Sequence, residues 1–378
     1  MQVVRIDEPV FEAIANMEER AVLKKGDTVH RPYRSSLRVQ DYTKGTDITP
    51  SDINGTDESL AVDQSKVVSF YFDDIDDTQN GYDTAASFAD DAGRELYSYV
   101  DGEFLAEVLN AADTIDDGDI GGTAGNSIVI SAANVVKIFT AAKKKLKRAN
   151  AKMSNLVAVV SPSFMAALLE RVEGKDSAFG DSTSKNGMIG TYMGFELYES
   201  NNLPYTARWT PANQPSNGAT ITIDGVVFNL VTSIGTTAGN VLIEVDTATT
   251  LDNLVAAIND PGTTTAKHVA FTGDDLKKVE RMTAVDGTTY VTVIYNGGSE
   301  VTVATSEAAD PWSLTKVHQM FGEKGAVDMV VQTMPMVQFK DDPDRLGKNV
   351  HTHTLYGKKT FAEGADVLLD VELDASVL

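Results

Sequence analysis

Cysteine is absent from all 378 residues. Disulfides, thiolate metal sites and a thiol nucleophile are therefore excluded. Any assembly the chain enters must be held by packing, by strand pairing between subunits or by a bond that does not use sulfur. Histidine is scarce, at five, and 32 Lys and Arg stand against 55 Asp and Glu, for a formal net charge of -23. A dedicated nucleic-acid binder is normally basic overall, so this balance argues against tight wrapping of nucleic acid. No apolar stretch approaches the roughly 18 residues of a membrane-spanning helix. The opening MQVVRIDEPVFEAI lacks the basic start and apolar core of a signal peptide. The expectation is a protein made in the cytoplasm with no membrane contact. What the chain has is bulk: 42% of its residues are hydrophobic, over a length that suits two or three structural units.

Along the chain, residues 1–25 read as an arm with a short helix, from Pro9 and the spacing of Phe11, Ile14, Met17 and Ala21. In 26–80, TVHRPYRSSLRVQDY and SKVVSFYFDDI carry β-branched and aromatic residues, with YTKGTDITPSDINGTDES between them. The pattern predicts a long two-stranded hairpin with a wide polar tip. A lone hairpin is marginal in water and needs a surface to lie on, either its own domain or a neighbouring subunit. Residues 82–112 predict a helix with Phe88, Ala92, Leu96, Tyr99, Phe104, Leu105 and Val108 on its apolar stripe. An acidic, glycine-rich loop, DTIDDGDIGGTAGN, follows. Its carboxylates lack the regular spacing of an EF-hand loop.

Residues 131–152 carry the clearest helical pattern. Ser131 is a natural N-cap, and Val135, Phe139, Ala142, Leu146 and Ala149 step along one face. Lys137, Lys143, Lys144, Lys145, Lys147, Arg148 and Lys152 occupy the rest, with no acidic residue among them. Two readings stay open. Cations at a helix C-terminus complement its dipole, or the face is turned toward an anionic partner. Leu156–Val160 then reads as a buried strand, and Ser161-Pro162 as the start of a helix whose apolar face is Phe164, Leu168, Leu169 and Val172. After the loop 174–186, Met188–Tyr192 and Phe195–Glu199 read as short strands around Met193-Gly194.

Residues 206–312 have the look of a separate α+β module. TITIDGVVFNLV alternates about an Asp-Gly turn. NVLIEV predicts a strand, and TLDNLVAAIN predicts a helix capped by Thr250 or Asp252. TTYVTVIYNGGSEVTVATSE predicts a second hairpin turning at Asn296-Gly297-Gly298, and Asp310-Pro311-Trp312 marks the return.

The stretch Val159-Val160-Ser161-Pro162, followed by Ile189, Gly190, Gly194, Phe195, Glu196, Tyr198, Ser200, Asn202, Leu203 and Pro204, resembles a segment of tailed-phage major capsid proteins. The C-terminal MPMVQFKDDPDRLGKNVHTHTLYGKKTFAEGADVLLDVEL is similar to the closing strands of the same proteins. The resemblance implies an α+β capsid fold of the tailed-phage and herpesvirus kind: N-terminal arm 1–25, extended loop 26–80, core 81–205 with a spine helix at 131–152, an inserted α+β domain 206–312, and the rest of the core at 313–378. It implies a structural protein of the virion that self-assembles as hexamers and pentamers into an icosahedral shell around phage double-stranded DNA. An encapsulin-like compartment is the alternative. Portal, scaffold and decoration proteins are the implied partners, and the implied DNA-facing basic residues are Lys137, Lys144, Lys145, Arg148 and Lys152. Part of the module, TITIDGVVF with TLDNLVAAIN, also resembles a small insertion motif of flagellin and hook proteins.

No catalytic, cofactor or metal site is expected. His351 and His353 alternate on one strand face, but no third ligand is evident beside them. Gly357-Lys358-Lys359-Thr360 lacks the upstream glycine of a phosphate loop. Asp341-Asp342-Pro343-Asp344 reads as a solvated turn.

Overall fold

A computed structural model describes residues 8–17, 28–34, 39–48, 50, 55–73, 84–173, 190–297, 301–307, 310–341 and 346–375. The first half of the chain runs α1 (Phe11–Ile14), β1 (Thr28–Arg34), β2 (Gly55–Ala61), β3 (Gln64–Asp73), α2 (Thr84–Leu105), β4 (Asp113–Ile115), α3 (Ala132–Arg148), β5 (Leu156–Val160), α4 (Pro162–Glu173), β6 (Thr191–Tyr192), β7 (Phe195–Glu199) and β8 (Tyr205–Trp209). There follow β9 (Ala219–Ile223), β10 (Val226–Val231), β11 (Asn240–Leu242), α5 (Thr247–Asn259), α6 (Gly273–Val279), β12 (Met282–Asp286), β13 (Val291–Tyr295) and β14 (Val303–Thr305). The chain closes with β15 (Trp312–Glu323), β16 (Asp328–Asp341), β17 (Gly347–Lys359), α7 (Ala362–Asp366) and β18 (Leu368–Asp374). Two compact units result. One takes the residues up to Ile14, Tyr97–Glu323 and those from Val367 on; the other takes Ala15–Leu96 and Lys324–Asp366. They cut across the five segments read from the sequence.

The first unit is built on a nine-stranded sheet in the order β12-β13-β8-β15-β5-β7-β6, with β18 and β4 joined through β15. Strand β15 organises it. Along one edge its first half pairs with β8 and its last residues with β5, while Lys316–Gly322 pair with β18 along the other. All five residues of LVAVV in β5 are buried, as a strand covered on both faces requires. Ser161 and Pro162 start α4 as expected, the Phe164 N–H pointing at Ser161 Oγ at 3.4 Å. Helix α3 packs on this sheet through Phe139, whose ring meets Phe164, Phe195 and Phe321 at 5.8, 5.5 and 5.3 Å between centroids. Such edge-on aromatic clusters contribute beyond their buried area.

The N-terminal segment joins this unit through a buried carboxylate. Asp101, fully buried, accepts the backbone N–H groups of Val10 and Phe11 at 2.8 and 2.9 Å, and its other oxygen accepts from Asn202 Nδ2 at 2.9 Å. Phe11 then seats beside Tyr97 and Phe104. The arm helix is a single turn, with Phe11 and Ile14 buried and Met17 half-buried beyond its end. Ala21 lies outside the described residues. The helix expected over 82–112 is present as α2 and a 3-10 turn at Ala106–Asn110, with Phe88 of the expected stripe 46% exposed.

Residues 206–312 divide between two sheets. Strands β9 and β10 form the expected hairpin, with Asp224 at φ 49° and Gly225 at φ 77° in the turn, the left-handed pair that such a two-residue turn demands. With β11 and β14 they make a separate four-stranded sheet, β11-β10-β9-β14. The second expected hairpin does not form: β13 pairs with β12 and β8 in the large sheet, whereas β14 pairs with β9. The strand expected over NVLIEV is confined to Asn240–Leu242. Helix α5 begins earlier than expected, its N-cap being Asp246 rather than Thr250 or Asp252. Asn259 at its end accepts the Ala284 N–H at 2.8 Å and donates to the Ala284 carbonyl at 2.9 Å, occupying that residue's backbone groups within β12. Entry and return of the segment are tied. Trp209 stands opposite Trp312, Trp209 Nε1 donates to the Asp310 carbonyl at 2.9 Å, and Asp310 Oδ1 accepts from the Ala212 N–H at 3.0 Å.

In the second unit, the hairpin expected between TVHRPYR and SKVVSFYFDD is replaced by other pairings. Strand β1 pairs with β2, whose GTDESLA the sequence reading placed in and beside the polar tip. Strand β3 instead becomes an edge of the three-stranded sheet β16-β17-β3. Leu60 and Val62, which bound the turn between β2 and β3, pack with Val330 and Phe361. Gly357 makes room for this: a Cβ there would come 2.3 Å from the Ala61 carbonyl oxygen.

Candidate functional site

The exposed face of α3 is the strongest concentration of one kind of chemistry in the first unit. The helix starts at Ser131, whose Oγ accepts the Asn134 N–H at 3.3 Å. Val135, Ile138, Phe139, Ala142 and Leu146 are fully buried, so the expected apolar face is the one that packs. At 100° per residue this leaves Lys137, Lys144 and Arg148 stacked along one outward line. Lys137, Thr140, Lys144 and Arg148 are exposed and line an open groove of about 340 Å³, with Asp119 and Ile120 of the acidic loop on its far wall.

The five basic residues expected to face DNA fall into three settings. Lys137, Lys144 and Arg148 share the groove. Lys145 also borders it, but its ammonium is turned to the acidic loop, 2.8 Å from Asp119 and 3.0 Å from Asp113. Burial pulls its pKa down, and the hydrogen bonds to Asp119 and Asp113 more than offset that, leaving it above the ordinary lysine value. Lys152 lies past the helix end, 80% exposed and 3.5 Å from Glu323. Lys143, on another side, donates to the Met193 carbonyl at 3.1 Å.

The residues that the sequence reading did not connect to this helix are those of DTIDDGD. Asp116 caps a 3-10 turn at Asp117–Ile120 by accepting the Asp119 N–H, and it also accepts the Gly125 N–H. The Gly125 hydrogen bond leads the causes that hold its carboxyl below the usual aspartate value, against burial, with smaller help from the Asp119 and Gly118 N–H groups and the Lys145 charge. Asp117 accepts the Thr123 N–H at 2.8 Å. The available signal was charge: an acid-only run and a helix with no acid are natural partners.

The other candidates are dispersed. His351 stands opposite Ser69 and Gln338, and His353 opposite Val67 and Met336; His351 Nδ1 is 2.9 Å from Ser69 Oγ. Gly357, Lys358 and Lys359 lie within β17, not in a loop. Asp341 ends β16, and 342–345 lie outside the described residues, as does Ile189 of the capsid-like segment.

No family model matches the chain, and no curated protein matches it by sequence. Solved structures do. The chain is similar to a structure of Mycobacterium phage Che8, at 15% identity and TM-score 0.59, covering 98% of this chain and 93% of that one. It is similar to the capsid of Cyanophage P-SCSP1u, at 12% identity and TM-score 0.56, over 98% and 89% of the two chains. It is also similar to the mature capsid of bacteriophage PhiM1, at 13% identity and TM-score 0.51, over 99% and 89%. With an arm, a hairpin, a long helix and a strand–helix hub in that order, and a likeness that runs nearly end to end, this chain has the α+β fold of tailed-phage capsid proteins.

Proposed function

We propose that the protein is a major capsid subunit, a structural protein that self-assembles into an icosahedral shell enclosing phage double-stranded DNA. The observation that carries this is the extent of the likeness: 98–99% of the chain is covered by the phage capsid structures it matches. A fold shared only through a common domain would leave the inserted segment or the arm unmatched. Against the encapsulin-like alternative, the three similar structures described above are those of phages. In this reading copies associate as hexamers and pentamers, with portal, scaffold and decoration proteins as further partners, and the shell is located in the virion.

Two details follow from the same reading. The spine helix is the stretch 131–152 that the resemblance assigns, present as α3 over Ala132–Arg148, while α2 is the longest of the described helices at 22 residues. The basic line on α3 is a weak, sequence-independent contact for DNA phosphates, carried by Lys137, Lys144 and Arg148. Lys145 holds the acidic loop, and Lys152 belongs to the rim beside Glu323. Electron microscopy of the purified full-length protein tests the central claim. Closed icosahedral particles of hexamers and pentamers are expected, and exclusively filaments or monomers would refute it.

A further inference from the structure

Strand β18 presents two unlike faces. Leu369, Val371 and Leu373 enter the apolar core. Asp370 and Glu372 point the other way, alongside Lys316 and His318 of β15. His318 and Asp370 are each 4% exposed. His318 Nδ1 lies 2.7 Å from Asp370 Oδ2, and its Nε2 lies 2.8 Å from Thr206 Oγ1. Lys316 Nζ is hydrogen-bonded to Glu372 Oε2. One ligand atom from each of His318, Asp370 and Glu372 falls within 4.8 Å of the others, the only such group of His and carboxylates among the described residues. A separate observation makes this more than an ion-pair network: Asp370 Oδ1 is buried and receives no hydrogen bond. A buried carboxylate oxygen without a donor is costly, and an ion is one of the few things that relieves it.

We propose that His318, Asp370 and Glu372 form a binding site for a divalent transition-metal ion of the Zn²⁺ kind. One imidazole with two carboxylates is a donor set of intermediate hardness that suits such an ion. The ion takes the place of the proton shared by His318 and Asp370. Ligand atoms around a tetrahedral ion with bonds of about 2.0 Å stand about 3.3 Å apart, a separation that rotation of the Asp370 carboxylate supplies as Oδ1, the oxygen without a donor, turns to the ion. Thr206 on the far ring nitrogen holds the imidazole plane, as outer partners of metal-bound histidines do. Glu372 sits at the rim, its side chain 15% exposed, and gives the ion a path from solvent. Lys316 satisfies Glu372 in the absence of metal and competes with the ion for it. Bound there, the ion clips the C-terminal strand to β15.

The test is Zn²⁺ titration of the EDTA-treated full-length protein, read by calorimetry and by thermal unfolding. One site per chain is expected, with Tm rising by roughly a few degrees at saturation, and Co²⁺ in place of Zn²⁺ giving visible absorption bands. Asp370→Asn should abolish the shift and Glu372→Gln weaken binding at least ~10-fold. Lys316→Ala should tighten binding while lowering the metal-free Tm, a pairing that a purely structural ion pair does not produce. If Asp370→Asn fails to fold, Glu372→Gln at the rim decides. Absence of any Zn²⁺ effect on the wild type, or an effect unchanged in Glu372→Gln, overturns the proposal.

Discussion

Asp101 is a fully buried carboxylate whose oxygens are spent on two backbone N–H groups and an amide. Asp101→Ala strands all three donors, and we expect a loss of about 3 kcal/mol in urea unfolding, with early protease cleavage before Phe11. Phe139 sits inside a ring of four aromatic neighbours; Phe139→Ala should cost about 3–5 kcal/mol by the same measurement. Asp116 gives a pH dependence. Its folded pKa lies below its ordinary value of 3.8, so its contribution is complete above that value and is lost as pH falls through the lower folded one. The protection of the Asp119 and Gly125 amides, taken relative to intrinsic exchange, should therefore fall below about pH 4, and Asp116→Asn should remove that acid step. Phe139 was legible as a core residue from its place in the four-three-four-three spacing. Asp101 was not, because nothing local marks a carboxylate whose partners lie about ninety residues away.

Among the elements, those defined by local signals were read well. Helix α3 begins at its serine cap, α4 at Ser-Pro, and the β9–β10 turn falls on Asp-Gly. Those defined by partners were not. Strand β3 has the alternation of a hairpin strand, but its partner is β17, about 280 residues away, and TDES of β2 is too polar to signal a strand. Strands β13 and β14 flank a turn-forming Asn-Gly-Gly, yet each joins a different sheet. Periodicity reports which face a strand buries and is silent about what it pairs with. The seat of β2 on β17 can be checked. Gly357→Ala places a methyl against the Ala61 carbonyl, and we expect a loss of about 1–3 kcal/mol, with faster exchange at Leu60 and Val62.

Across the assembled protein, net charge and local charge pull in opposite directions. A surface of -23 repels DNA, and the line of Lys137, Lys144 and Arg148 offsets this over one narrow strip. Replacing the three with Gln should flatten the salt dependence of duplex DNA binding by up to about 3 in log–log slope, since each phosphate contact contributes ~0.9. An unchanged slope would refute the proposed DNA contact on this helix. Assembly also demands restraint. On the proposed reading, a chain that associates with many copies of itself is at risk wherever a sheet ends in free backbone groups. At β12 that risk is lowered at Ala284, whose N–H and carbonyl are both taken by the Asn259 amide in place of a next strand. One template for open-ended strand addition is thereby removed at that edge, which on the proposed reading favours association through other surfaces. Asn259→Ala should leave folding nearly intact and yet raise light scattering on storage, a fault of polymer control rather than of stability.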